Sequence, residues 1–507
     1  MVTDVKTGAD HIASLRDGRQ VYLNGELVGD VTTHPAFKNT VRRAAALYDF
    51  QAAPENIDLL TFTSPTSGKR VNRCWLLPTD LDEMIRRREA LVAWQRTHAG
   101  FLGRSPDHVA SALAGQVIGI DVFERHGRER AQSMLDYFAY ARDNDLFLTY
   151  VIINPQADRS KAWGEQDDEF LVAGVVDEDA EGITVRGAKM LGTSSIMANE
   201  VFVANLQPLR PGEERYALSF AVPMDSPGLK VMSRKSFEAS AQSQFDNPLS
   251  YELDENDALM YFDDVKVPWE RVFVYKDTDT CRAQFQDTAG HLFQNYQAQI
   301  RLLVKMQFLA GVARRLTEVI GTNKMPQIMQ QLGHLAAQAA MVEGMVYGME
   351  VSGTHYGKHW IPNRHIMYAA QVLTQELYPT VINAIRELAG GSLIMLPSSV
   401  RDFANPEVRD VINKTQQSPV MAPEDRVKFM KLAWDAVGSE FASRHVQYEM
   451  FYAGAPFVTR GHSARTYDWA NALSLVDDVL SRYELDEILD SPAVEIEDKK
   501  HSVATGG

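Results

Sequence analysis

Apolar residues recur every three or four positions through much of the second half of this chain, and that period commits it to long packed helices. Ile300, Leu303, Val304, Val312, Leu316 and Val319 form one stripe, and Ile328, Leu332, Leu335, Ala339, Val342 and Val346 form a second. Residues 367–388 and 427–448 carry two more of the same length. Such a stripe is stable only when other elements cover it, so the spacing predicts a four-helix bundle over residues 281–494.

Upstream the period changes twice. Residues 36–141 read as helical, with apolar repeats from Leu81 to Trp94 after the start signal Pro78-Thr79-Asp80, and again over 133–140. Near Leu146 the text becomes β-branched and aromatic: 147–153 is followed at short intervals by 170–176, 183–185, 200–203, 217–222 and 258–262. The acidic stretch Asp177 to Gly182 reads as a hairpin turn. The expectation is an α+β chain with a mainly helical domain (1–145), a central β-barrel-like domain (146–280), the bundle (281–494) and a disordered tail (495–507). A length of 507 residues, beyond the roughly 250–300 at which one core stops growing, agrees with several domains.

Composition excludes several functions. A net charge of −16 with scattered basic residues repels phosphate backbones and acidic membranes, so neither nucleic acid nor membrane is expected as a partner. No run reaches the ~18 apolar residues of a membrane span, and the first fifteen residues carry no secretory pattern. Cys74 and Cys281 are too few for a disulfide framework; they read as buried thiols in a cytoplasmic protein. No GxGxxG follows a strand and no Walker loop is present, so electrons must come from another protein if the chain does redox chemistry. No HExxH motif or zinc spacing is present, and no metal is expected.

Charged turns carry what remains. Gly103-Arg104-Ser105-Pro106-Asp107 can point a planar donor fork at an anion, or can be a surface turn with an Arg–Asp pair. Asn154-Pro155-Gln156-Ala157-Asp158-Arg159-Ser160 follows an apolar strand, where loops line pockets. Tyr452-Ala453-Gly454-Ala455-Pro456-Phe457 is small enough for close backbone approach. With Lys189-Met190-Leu191-Gly192-Thr193, Phe262-Asp263-Asp264-Val265-Lys266-Val267-Pro268, and Gln375-Glu376-Leu377-Tyr378-Pro379 followed by Ile394-Met395-Leu396-Pro397-Ser398, these segments resemble, in order, the 4-hydroxyphenylacetate 3-monooxygenase family and its chlorophenol and nitrophenol branch.

The resemblance spans about Thr7 to Leu489. It implies an acyl-CoA dehydrogenase-like fold and a homotetramer. It also implies the oxygenase component of a two-component system, which takes reduced FAD from a separate NAD(P)H flavin reductase, uses O2 as co-substrate and hydroxylates a phenol through a flavin hydroperoxide. It implies cofactor contacts from Tyr150, Gln156, Ala157, Asp158, Arg159, Thr193, Gly454, Ala455, Pro456 and Phe457. Electrophilic hydroxylation proceeds best on a phenolate, so His291 is expected as the base and Arg104 as the stabiliser of the anion. His291 alone also reads as a helix cap, and Thr193 as a strand-end threonine.

Two departures bear on substrate. His108 stands where aryl-acetate enzymes have tyrosine after Gly-Arg-Ser-Pro-Asp, and Tyr150 stands where they have histidine. Both match the branch acting on halogenated or nitrated phenols, with loss of halide or nitrite, though His108 can also be a packing partner of Tyr150. Phe441 reads as a substrate clamp or as core, and Arg444 as a site residue or a surface salt bridge. The alternatives are a 4-hydroxyphenylacetate 3-hydroxylase, an acyl-CoA-type flavin dehydrogenase, and a non-catalytic scaffold of the same fold.

Overall fold

The computed structural model describes residues 5–490; the expected disordered tail, 495–507, lies outside them. The β region is two facing sheets. One runs Glu26–Val28, Gln20–Leu23, Leu229–Ser233, Ala258–Pro268, Gly182–Lys189, Gly174–Glu178 across its width. The other runs Val272–Tyr275, Leu218–Pro223, Glu200–Val203, Leu148–Val151. Val185, Val201, Val203, Phe220, Val231, Met260 and Phe262 meet in one buried core between them. The expected hairpin is present: Gly174–Glu178 pairs antiparallel with Gly182–Lys189, and Asp179 N–H donates to Gly182 O at 3.0 Å.

The four-stranded sheet is covered on both faces, which explains why all of Glu200–Val203 is buried. Val201 and Val203 face the other sheet, while Phe202, Leu148 and Phe273 face helices and join a core with Val109, Leu113, Phe138, Leu292 and Phe293. Leu229–Ser233 and Val272–Tyr275 escaped the sequence reading. So did Gln20–Leu23, inside the stretch read as mainly helical; it pairs parallel with Leu229–Ser233, Val21 opposite Val231.

Three bundle helices run Gly290–Ile320, Pro326–Val351 and Arg364–Ala389. The fourth, expected as one helix over 427–448, is two: Pro423–Val437 and Glu440–Phe451. Ser439 breaks it by taking an extended conformation (ψ 172°) and accepting the Ala442 N–H with its hydroxyl, a stronger local signal than the apolar stripe running through it. Helix Trp469–Leu480 leaves the body of the chain with Trp469, Leu473, Leu475, Val476, Val479 and Leu480 exposed.

Candidate active site

Helix Asp107–Ile118 is buried along its whole length and lies against the start of Gly290–Ile320. Gly115 permits this approach: a Cβ there would stand 2.2 Å from the Ala289 carbonyl oxygen. Ala289 N–H donates to Gly115 O at 3.1 Å across the same contact. The result sets His108, in the first turn of one helix, beside Gln294 and Gln297 in the first turns of the other.

Hydrogen bonds there have one consistent direction. The Asp107 carboxylate accepts from Gln95 Nε2 at 2.9 Å and from Gln297 Nε2 at 3.1 Å. With its amide nitrogen so used, Gln297 offers Oε1 to His108 Nδ1, 2.9 Å away. The proton therefore sits on Nδ1, and Nε2 accepts from the Arg104 guanidinium and from Gln294 Nε2 at 2.9 Å. Burial, then the Arg104 charge, holds His108 well below the ordinary histidine range, so the ring is neutral. His108 also stacks on Tyr150 with centroids 5.6 Å apart, so both readings of this residue apply.

Arg104 is the centre of the group. Its guanidinium lies 5.2 Å from the Tyr150 ring centroid and 5.3 Å from that of Tyr448, and Nη2 donates to the Tyr452 carbonyl at 3.4 Å. Its backbone N–H donates to Glu255 at 2.8 Å. Among the described residues no carboxylate approaches the guanidinium within 4.0 Å, so the surface Arg–Asp pair does not form and a buried cation is left for an anion to meet. Gly103 holds the turn against Tyr448: an added Cβ would lie 2.6 Å from Cζ and Oη of that ring. Gly103→Ala is expected to displace the ring that covers Arg104 and lower kcat/KM about 10- to 100-fold with little change in the thermal midpoint, measured by product formation and by circular dichroism.

Arg444 is no surface salt bridge; its side chain is 13% exposed. It grips Asp257 through Nε (2.9 Å) and Nη2 (2.6 Å) and also reaches Glu255. Arg234 Nε meets the same Asp257 at 2.8 Å. Burial alone would raise the Asp257 carboxyl, yet these two guanidiniums hold it well below the usual carboxylate range. Thr193 donates its hydroxyl to Asp257 at 2.7 Å, which ties the Leu191–Thr193 turn to the bundle.

The other expected residues stand apart from this group. His291 lies one turn before Gln294 and faces Tyr368 (Nδ1 to Oη 3.4 Å) and His462 (ring centroids 5.6 Å). Phe441 lies in the bundle core against Phe101, Phe237 and His445. Gln156, Asp158 and Arg159 are exposed, with Arg159 hydrogen-bonded to Gln156. Their loop is anchored from below by Asn154, which takes a 2.6 Å hydrogen bond from the fully buried Lys189 and gives one of 2.8 Å to Gln207. Burial pushes Lys189 down to about 7. Gly454 takes φ 107°, and Gln375 Nε2 holds its carbonyl at 2.9 Å; Ala455 and Pro456 then open the next helix, leaving Phe457 78% exposed.

Gln294, Gln297, Tyr448, Glu255 and Asp257 were missed from sequence. A signal existed for the first two: His291, Gln294, Gln297, Arg301 and Lys305 are polar residues at helical spacing among the apolar residues of one long helix, a polar stripe.

Comparison with known proteins assigns the frame. The family model for the 4-hydroxyphenylacetate 3-hydroxylase N terminal region matches residues 7–274, and that for its C terminal region matches 281–481. The 4-hydroxyphenylacetate 3-monooxygenase oxygenase component of Geobacillus sp. (strain PA-9) is 34% identical over 464 residues, 90% of this chain and 92% of the relative. The 4-nitrophenol 2-monooxygenase oxygenase component of Rhodococcus sp. is 39% identical over 455 residues, 88% of this chain and 86% of the relative. A crystal structure of the oxygenase component of 4-hydroxyphenylacetate 3-monooxygenase, complexed with FAD and 4-hydroxyphenylacetate, superposes with a TM-score of 0.89 at 31% identity, covering 94% of this chain and 98% of that one.

Near full-length relatives with one kind of chemistry on one frame set the class: an aromatic monooxygenase on the frame of the solved oxygenase component. More narrowly, the chain belongs to the 4-hydroxyphenylacetate 3-hydroxylase family.

Proposed function

We propose that this chain is the oxygenase half of a two-component system and hydroxylates a substituted phenol held as its anion beside Arg104. The observation that carries this is the buried Arg104 guanidinium, set between the Tyr150 and Tyr448 rings and without a carboxylate partner among the described residues. Reduced FAD is the cofactor and O2 the co-substrate, and together they supply the electrophilic oxygen. The site suits a planar polar ligand: the buried hydroxyls of Ser194, next to Thr193, and of Tyr448, over Arg104, have no hydrogen-bond partner among the described residues. Thr193, Gln156, Ala157, Asp158, Arg159 and the Gly454–Phe457 turn would hold the cofactor, and His108 and Tyr150 would line the phenol pocket. A separate reductase is needed, in keeping with relatives described as oxygenase components.

His291 is the proposed base. Burial, then His462 and Arg364, push it down to about 3, so the ring is neutral in the free protein, and it takes the phenol's proton only as the phenolate charge formed beside it draws its pKa upward. The acid limb of the pH–rate profile is therefore expected to follow the phenol rather than His291. His291→Ala is expected to slow formation of the aromatic product about 100-fold while leaving reduced-FAD affinity intact, read by single-turnover kinetics and anaerobic titration.

Halogenated or nitrated phenols are the favoured substrates, supported by His108 and Tyr150 in exchanged positions and by the 39% identical 4-nitrophenol enzyme. The second reading is 4-hydroxyphenylacetate, supported by the Geobacillus relative and the solved complex. Mixing the reduced enzyme with oxygen and 4-nitrophenol, a 4-halophenol or 4-hydroxyphenylacetate separates them: nitrite or halide release at the higher kcat/KM favours the first, and preferred turnover of the aryl acetate overturns it.

Self-association is also proposed. The apolar residues on Trp469–Leu480, with Leu485, Ile488 and Leu489 beyond it, form an exposed face that a second copy would cover, and sedimentation is expected to give a tetramer.

A further inference from the structure

We propose that Gln294 is a positioning residue that donates to the oxygen of the Tyr150 hydroxyl, so that the Tyr150 proton is left for the phenolate beside Arg104. This rests on the reading above that the phenol binds there as its anion.

The direction is imposed from the far end of the network. Asp107 is fully buried and accepts from Gln95 Nε2, from Gln297 Nε2 and from the Ser105 hydroxyl. Gln297 therefore turns its carbonyl to His108 Nδ1, 2.9 Å away, and His108 Nε2 is left as an acceptor. Facing an acceptor, Gln294 must present its amide nitrogen and not its carbonyl; Nε2 stands 2.9 Å from His108 Nε2. That nitrogen carries a second N–H, which goes to Tyr150 Oη at 2.9 Å. A tyrosine hydroxyl has one proton. With Gln294 donating to the oxygen, the proton cannot return along the same line, and among the described residues no acceptor takes it.

The hydroxyl is held where an anion would use it. Gln294 is 5% exposed and lies one turn from Gln297 on the same helix, so both amides are fixed by the same packing. The Tyr150 ring stacks on His108 with 18° between the planes, and the Arg104 guanidinium lies 5.2 Å from its centroid. A ligand oxygen paired with that guanidinium is within reach of the hydroxyl on the same ring. A phenolate oxygen accepts from both donors, whereas a neutral phenol brings a proton of its own that neither can take, so the pair favours the ionised substrate. Gln294 touches none of the reacting atoms; it acts through Tyr150.

The test is anaerobic titration of the protein, loaded with reduced FAD, with 4-nitrophenol, whose phenolate but not its neutral form absorbs visible light, and with 4-nitroanisole, which has no proton to lose. The wild type is expected to bind 4-nitrophenol as the phenolate. Gln294→Leu, and the near-isosteric Gln294→Glu, whose carboxylate takes the Tyr150 proton, should each weaken phenolate binding about tenfold and leave the anisole within about twofold. Gln294→Leu added to Tyr150→Phe should not deepen the loss that Tyr150→Phe gives alone, because the glutamine then has no hydroxyl to aim. Unchanged phenolate binding in both glutamine variants, equal losses for both ligands, or losses that add in the double variant overturn the inference while the anion reading stands. A wild type that binds 4-nitrophenol in its neutral form sinks the anion reading and this inference with it.

Discussion

Replacing Arg104 with alanine is expected to lower kcat/KM for the phenol by about 100- to 1,000-fold while the chain stays folded. Among the described residues the guanidinium has no carboxylate partner and is left for an anion: His108 accepts from it, Gln297, itself held by Asp107, fixes His108, and two tyrosine rings cover it. Without it the phenolate loses its counter-charge in a place from which water is largely excluded, and the neutral phenol is the poorer nucleophile. Arg104→Lys should recover little, because an ammonium cannot keep both the flat stacking and the bond to His108. Steady-state kinetics with an excess of reductase, beside a substrate-binding titration of the reduced protein, checks both variants. Retention of full phenol turnover in Arg104→Ala would remove the anion from the mechanism.

The largest stability effect is expected at Glu449. This carboxylate is buried between Arg301 (2.6 and 2.7 Å) and Lys305 (3.0 Å), and none of the three side chains is more than 1% exposed. Glu449→Gln leaves two buried cations sharing no counter-charge, a loss of roughly 3–5 kcal/mol, visible as a lower denaturation midpoint in urea. Burial alone would raise Glu449, but Arg301 and Lys305 hold it down to about 2, below its ordinary 4.5. A depressed carboxylate stabilises fully above its unfolded pKa, so this contribution is complete above about pH 5 and is lost as pH falls through about 2. The acid limb of a stability profile should therefore be shallower in Glu449→Gln than in the wild type. The site should feel the change as well, since Arg301 lies over the rings of Tyr448 and Tyr452.

The architecture was legible because it rests on periodic burial. A helix stripe or a β-branched run records what each segment needs covered, and the three-part order follows from where the period changes. Periodicity is blind to what interrupts it. Ser439 splits a bundle helix with one hydrogen bond, and Gln20–Leu23, with its neighbour Glu26–Val28, joins a sheet whose other four strands lie about 150 residues or more away. The strand depends on a partner that a local window does not contain, and the serine cap, though local, leaves the apolar period unbroken.

The site divides in the same way. Arg104 and Thr193 were found in recognisable turns, His108 directly after one, Tyr150 on a strand and Arg444 near the last bundle helix. Their roles were set by folding. Gln297 lies 189 residues from the histidine whose tautomer it selects, and Arg444 lies 187 residues from the carboxylate that it shares with Arg234 and Thr193. Phe441, named with the phenol site, packs in the core, because its ring meets Phe101 and Phe237. The order of amino acids alone therefore determined the frame and the inventory of charged groups. Which of those groups neutralise one another, and which is left facing an anion, was decided only by tertiary structure, because a buried charge takes its meaning from neighbours within a few ångströms, wherever they lie in the chain.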